Sequence, residues 1–217
     1  MSKKAIIFDL DGVIVDTAKF HFLAWRDLAN KLGIDFTEKE NEQLKGVSRV
    51  RSLEKILAWG NKELSSEDFE QYMQEKNENY LKYVDQLTQA DILPDVHKRL
   101  EELKQKQHLI ALGSASKNAR RILKQMQLTH YFDAIVDGNE VTKAKPDPEV
   151  FLKAAELLKA SPEDAVVFED SVAGVQAANQ AQMLSVGIGE KSVLGEADYV
   201  FKDFTEISDK VFQQITN

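Results

Sequence analysis

The first apolar run of the chain, Ala5-Ile6-Ile7-Phe8, does not alternate, and it is followed at once by Asp9 and then Asp11. An unbroken run of this length predicts a buried parallel strand. After Asp16 the period changes. Leu23, Leu28 and Leu32, with Trp25 and Ala29, recur at helical spacing, and Gly33 supplies a stop. Thr37 and Glu40 form a T-x-x-E capping box ahead of a second helix, expected to end near Gly46. Ser48 can cap a third helix, which carries Leu53, Ile56 and Leu57 and stops at Gly60. Ser65 or Ser66 opens a long fourth one bearing Phe69, Tyr72, Met73, Tyr80, Leu81 and Val84. Residues from about 17 to 88 therefore read as all-helical.

Beyond them the two periods alternate. Pro94 suits the first turn of a helix with Val96, Leu100 and Leu103. LIALGS, DAIVDG, AVVFEDS, LSVGIG and DYVF read as strands, and NARRILKQMQL, PEVFLKAAELLKA and VAGVQAANQA as the helices between them. Strands alternating with helices predict a parallel sheet covered on both faces. The expected fold is α/β: a core of residues 1–16 and 90–217, with residues 17–89 as a helical domain inserted after the first strand.

Composition changes this picture little. The chain has 217 residues, 43% hydrophobic and 29% charged, as an ordinary globular protein has. A net charge of -8 argues against broad nucleic-acid or acidic-membrane binding. It leaves room for a phosphorylated small molecule, because local cations or a metal can reverse the field in a cleft. The absence of cysteine excludes disulfides, thiolate catalysis and Cys-based zinc sites. No apolar stretch approaches the roughly 20 residues of a membrane span, and the run before Asp9 is too short for a signal peptide. A cytoplasmic monomer, with no membrane or nucleic-acid partner, is the expectation.

In an open parallel sheet, ligands bind at the carboxyl ends of the strands. Here the first strand ends in Asp9-Leu10-Asp11-Gly12, the second in Gly113-Ser114-Ala115-Ser116-Lys117-Asn118, and the fourth in Glu169-Asp170-Ser171. Lys143, Lys145 and Pro146 follow the third. Taken singly, Glu169 or Asp170 is a turn or capping residue, Ser114 and Ser116 are helix caps, Lys145 is a solvated loop lysine and His21 is structural. Taken together they gather carboxylates at one edge, which a hard cation held by oxygen, Mg²⁺, would neutralise. In the insert, LKGVSRVRS places Lys45, Gly46, Val47, Ser48, Arg49 and Ser52 at a helix junction. That is either a phosphate site or a pair of caps with surface cations.

FDLDGV resembles the first motif of the haloacid dehalogenase superfamily, and Ser114, Lys145 and the Glu169/Asp170 pair match its second, third and fourth. DLDGVIVDTAKFHFLAW, NEQLKGVSR, SASKN, YFDAI, KPDPEVF and EDSVAGVQA extend the likeness over nearly the whole chain, to the members that isomerise hexose phosphates. The resemblance implies a Rossmann-like core and a helical cap. It implies Asp9 as nucleophile, Asp11 as general acid/base, and Ser114 and Lys145 as stabilisers of the transferring phosphoryl group. Mg²⁺ would be held by Asp9, the Asp11 carbonyl, Asp170 and Glu169. The substrate would be β-glucose 1-phosphate, converted to glucose 6-phosphate through the 1,6-bisphosphate. Gly46, Val47, Ser48 and Arg49 would grip the non-reacting phosphate with Ala115, Ser116, Lys117 and Asn118 across the cleft. Thr17, His21, Trp25, Lys45, Ser52 and Lys76 would read the sugar or position Asp11. A rigid, cis turn at Lys145–Pro146 would aim the lysine. The rival readings are a sugar-phosphate phosphatase, a phosphonatase using Lys45 as a Schiff base, and a receiver-type signalling module with Asp137 as acceptor.

Overall fold

The computed structural model describes residues 4–45 and 47–217. Six parallel strands form one sheet: β1 (Ala5–Phe8), β2 (Leu109–Gly113), β3 (Ala134–Val136), β4 (Ala165–Glu169), β5 (Leu184–Ile188) and β6 (Tyr199–Phe201), in the order β3-β2-β1-β4-β5-β6. The chain builds outward from β1 on one side, then crosses to build outward on the other. That reversal opens a crevice at the carboxyl end of β1, where α/β sheets bind ligands. Register does the rest. Phe8 lies beside Leu112 and Phe168, so the residues just past β1, β2 and β4 emerge together at one edge.

Alternate residues of β1 feed the two faces. Ile6 and Phe8 join one core with Leu112, Phe168 and residues of α5 (Val96–Gln105), α6 (Ala119–Gln125) and α9 (Asp209–Thr216). Ala5 and Ile7 join the other, packed by α7 (Glu149–Leu157) and α8 (Val172–Gln180). The expected strands and crossover helices are all present. Two local details differ. Pro94 stands outside α5, which begins at Val96, because Asp95 caps it in a left-handed conformation (φ 60°). The tail beyond β6, which carries no clear strand or helix signal, forms α9 behind the Ser208 cap and closes the first core with Phe212 and Ile215.

Four helices fill the insert: α1 (Ala18–Lys31), α2 (Glu38–Glu42), α3 (Arg49–Trp59) and α4 (Ser66–Val84). They bury a core of their own around Trp25, Leu28, Leu53 and Ile56. The capping box is made, with the Thr37 amide donating to Glu40 Oε2 at 2.7 Å. α2 nevertheless stops at Glu42, well before Gly46, which is outside the described residues. Ser48 caps α3 and Ser65 caps α4, as their spacing predicts. The inner ends of α1 and α4 supply Ala24, Tyr80 and Val84 to the first sheet core, where they meet Val13 and Ile14. The two linkers to the cap touch each other: Val15 bridges antiparallel to Ile92, and the Leu93 amide donates to the Ile14 carbonyl at 3.0 Å.

Candidate active site

Asp9 follows β1 and is 6% exposed. Lys145, on the loop after β3, is equally buried, and its Nζ donates to Asp9 Oδ1 at 2.6 Å and to Glu169 Oε2 at 2.7 Å. It is not a solvated loop lysine. Burial works against its charge, but Asp9 and Glu169 outweigh burial and hold the ammonium above its ordinary range. The Lys145–Pro146 bond is cis, as expected. Glu169 is fixed on its other oxygen by the Ser171 hydroxyl at 2.7 Å and by the Asp170 and Ser171 amides.

Carboxylate oxygens of Asp9, Glu169 and Asp170 all lie within 4.8 Å of one another. Lys145 bonds two of these carboxylates, and Lys45 approaches the third, that of half-buried Asp170, only to 3.8 Å. Burial accordingly raises Asp9 to about 7 despite Lys145, and raises Asp170 well above its ordinary range, with Glu169 and Asp9 adding to the effect. An all-oxygen, excess-negative cluster of this kind fits a hard divalent cation. Two glycines make room for it. A Cβ on Gly12, which has φ +76°, would meet Asp170 Oδ2 at 2.2 Å, and one on Gly174 would meet the Glu169 carboxyl carbon at 2.0 Å. Ser171, Gly12 and Gly174 thus belong to the site, although a glycine or serine in a turn carries no chemical signal by itself.

Asp11 is raised by burial to about 6, against a hydrogen bond from the Thr17 hydroxyl. It faces a cleft of about 660 Å³ between the sheet edge and the cap. From the core, Ser114, Ala115, Ser116, Lys117, Asn118, Lys145 and Asp170 line this cleft; from the cap, His21, Trp25, Lys45, Val47, Ser48, Arg49, Ser52 and Lys76 do so. Thr17 and Glu169 are the exceptions. Both are buried one layer behind, Thr17 beneath Asp11 and Glu169 beneath Lys145. Gly46 falls outside the described residues.

Ser114 and Ser116 are not the helix caps expected of them singly, because Asn118 holds the cap position of α6. Ser48 is the cap of α3 and also lines the cleft. The Ser114 and Ser116 hydroxyls accept from the Ser116 and Asn118 amides, at 3.1 and 3.3 Å, which shapes the loop before α6. Lys76 is 2% exposed, with its Nζ 2.8 Å from His21 Nδ1 and 4.6 Å from the centre of the Trp25 ring. Burial lowers both His21 and Lys76 well below their ordinary ranges, and the charge of Lys76 on His21 and of Arg49 on Lys76 adds to it. Arg49 makes no hydrogen bond or ion pair among the described residues, so its guanidinium is free for a ligand. Asn118 Nδ2 donates to Asn77 Oδ1 of α4 at 2.9 Å, a contact between core and cap that the sequence did not signal.

The haloacid dehalogenase-like hydrolase family model matches residues 6–188. The chain belongs to this family. Among its members, the β-phosphoglucomutase of Bacillus subtilis is 42% identical over 207 residues, covering 94% of this chain and 92% of that one. A phosphorylated carbohydrates phosphatase of Thermotoga maritima is 34% identical, covering 82% and 81%. The crystal structure of β-phosphoglucomutase from Clostridium difficile matches with a TM-score of 0.95 at 41% identity, over 100% of this chain and 98% of that one. The parallel core and the cap are thus those of the haloacid dehalogenase-like family.

Two rival readings lose their geometry. A Schiff-base lysine must shed its proton, but Lys45 pairs with Glu42 at 3.0 Å and faces Asp170 at 3.8 Å; these carboxylates outweigh burial and hold its pKa above the ordinary value. Asp137, the receiver candidate, is buried outside the cleft and occupied by Arg120 at 3.2 Å and Asn139 at 2.8 Å.

Proposed function

We propose that the chain is a β-phosphoglucomutase, interconverting β-glucose 1-phosphate and glucose 6-phosphate through β-glucose 1,6-bisphosphate. The observation that carries this reading is the free Arg49 guanidinium on the cap wall of a cleft whose phosphoryl chemistry sits on the core wall. A phosphatase needs one phosphate site. A mutase must hold a second phosphate while the first reacts.

In this scheme Asp9 is the nucleophile, and it cycles through an aspartyl phosphate. The phosphorylated Asp9 passes its phosphoryl group to the 6-hydroxyl of β-glucose 1-phosphate, and Asp11 takes the hydroxyl proton. The bisphosphate turns over in the cleft. Asp9 then attacks the phosphorus at the 1-position, and Asp11 returns the proton to the departing oxygen, releasing glucose 6-phosphate. Lys145 and Ser114 face the oxygens of the group in flight. Asp9, the Asp11 carbonyl, Asp170 and Glu169 are the residues that would hold Mg²⁺, which when bound supplies positive charge to the nucleophile and the phosphoryl oxygens. Arg49, with Ser116, Lys117 and Asn118 opposite, holds the idle phosphate. His21, Lys45, Ser52 and Lys76 contact the sugar. A charged hexose phosphate does not cross a bilayer unaided, so the enzyme belongs with its substrate in the cytoplasm.

Incubation with β-glucose 1-phosphate, a trace of the 1,6-bisphosphate and Mg²⁺ tests the reading. Glucose 6-phosphate should accumulate from the β anomer and not from the α anomer. Release of inorganic phosphate in place of glucose 6-phosphate would overturn it in favour of a phosphatase. Asp11→Ala separates the two chemical roles. The nucleophile survives, so acetyl phosphate still phosphorylates the protein, because acetate leaves without a proton. Isomerisation is expected to fall about 10²–10⁴-fold. Parental turnover in steady-state assays of that variant would remove Asp11 from the acid/base role.

A further inference from the structure

Asp137 is a carboxylate, 2% exposed, that the phosphoryl chemistry leaves unused. It follows β3 and begins the turn Asp137-Gly138-Asn139. A buried charge persists only with partners, and Asp137 has two. Arg120 Nε lies 3.2 Å from Oδ2. Oδ1 accepts from the Asn139 amide at 2.8 Å and from Asn139 Nδ2 at 2.9 Å. The carboxylate thus orders the side chain of Asn139, a residue that is itself exposed.

Asn139 Nδ2 also donates to the Lys117 carbonyl at 3.0 Å. Its two hydrogens therefore go to an ion-paired carboxylate and a carbonyl, both of which only accept, so the amide stands with its nitrogen toward them. Two backbone bonds join the same strand end to the same loop. The Ser114 amide donates to the Val136 carbonyl at 3.0 Å, and the Gly138 amide to the Ser116 carbonyl at 3.3 Å. A Cβ on Gly138 would stand 2.3 Å from the Ala115 carbonyl oxygen, so turn and loop lie backbone against backbone. Residues 136–139 thus pin the loop Ser114–Asn118 along its length. Among these pins the one from Asn139 comes from a side chain, so a substitution removes it alone.

Resting on the reading of Ser116, Lys117 and Asn118 as the core side of the idle-phosphate site, we propose that Asn139, aligned by Asp137, is a positioning residue for that site. Asn139 does not line the cleft; Ser116, Lys117 and Asn118 do. A planar peptide carries its carbonyl and its N–H on opposite sides. Holding the Lys117 carbonyl therefore also sets the direction of the Asn118 amide, which donates to Ser116 Oγ at 3.3 Å. One side chain outside the cleft thereby fixes the peptide between two of the phosphate-facing residues and the hydroxyl of the third. A loop already in its binding shape loses less freedom when the phosphate arrives. The idle phosphate is gripped alike before and during the reaction, so the effect falls on substrate binding and not on the chemical step.

Asn139→Ala removes the Nδ2 donor at an exposed position and leaves Asp137 its pair with Arg120, so the melting temperature should change little. In the ligand-free protein, the amides of Ser116–Asn118 should exchange hydrogen faster than in the parent. The KM for β-glucose 1-phosphate is expected to rise about three- to tenfold, the worth of one hydrogen bond, with kcat near the parental value. Hydrolysis of acetyl phosphate should keep its rate, because that substrate has no idle phosphate. Asn139→Asp keeps the size but sets an acceptor against two acceptors, and should raise the KM at least as far as Asn139→Ala. Parental exchange in the loop, a parental KM, a loss carried by kcat, an equal loss with acetyl phosphate, or rescue by Asn139→Asp would each overturn the proposal. Should the parent release phosphate and form no glucose 6-phosphate, the mutase reading fails by itself. The same variants, read on hydrolysis of glucose 1,6-bisphosphate against that of acetyl phosphate, then decide the role of Asn139.

Discussion

Asp9→Asn is expected to abolish phosphoryl transfer from every donor, acetyl phosphate included. The side chain keeps its size, so the fold should survive, with Lys145 still bonded to Glu169 at 2.7 Å. What disappears is the charge. An amide oxygen is a weak nucleophile, and it removes one of the three carboxylates clustered for a cation. Removing the nucleophile of a concerted set can cost about as much as removing the set, on the order of 10⁶-fold in a serine-protease triad. Denaturing gels after incubation with labelled acetyl phosphate provide the check, with melting temperature as the control for folding. A labelled phosphoenzyme in this variant would move the nucleophile elsewhere and end the assignment.

Arg49→Ala tests the second phosphate site. Arg49 opens α3 on the cap, free of any partner among the described residues, and Ser116, Lys117 and Asn118 line the core side of the same cleft. Burial lowers its pKa from the ordinary value, which an anion opposite it would reverse. A guanidinium can clasp a phosphate with two parallel hydrogen bonds, and such charge-assisted contacts are worth about 1.5–3 kcal/mol each. Loss of the fork should therefore depress isomerisation by roughly 10²-fold or more. Acetyl phosphate has no distal phosphate to hold, so its hydrolysis should stay near the parental rate. Arg49→Lys should restore only part of the loss, because an ammonium replaces the charge but not the fork. Equal losses on both substrates would make Arg49 a structural residue and withdraw the main support for a mutase over a phosphatase.

The chemistry at the strand ends was legible because parallel-sheet topology sends every such loop to one edge. Once β1, β2 and β4 are identified from their apolar runs, Asp9, Ser114, Glu169 and Asp170 must converge. The caps at Thr37, Ser48 and Ser65 are local and equally legible. What escaped depends on distant partners. α9 is short, and its Phe212 and Ile215 acquire meaning only against the sheet face they cover. Pro94 was displaced from its helix by the left-handed Asp95, which lies just beyond the contact of Leu93 with the first linker. Asn77 has no signal at all until Asn118 of the core is found 2.9 Å away.

The strand order also dictates when this protein can begin to work as it is made. β1 leaves the ribosome first but has no neighbour until Leu109–Gly113 and Ala165–Glu169 follow. The insert, whose helices pack largely on one another, can condense in the interval, since local contacts form fastest. Asp9 precedes Lys145, Glu169 and Asp170 by more than a hundred residues of chain. A nascent chain that stops short of β4 lacks Glu169 and Asp170 beside Asp9, and also lacks Val166 and Phe168, which share a core with Ala24, Tyr80 and Val84 of the cap. The carboxylate cluster around Asp9 is complete only once β4 has joined the sheet.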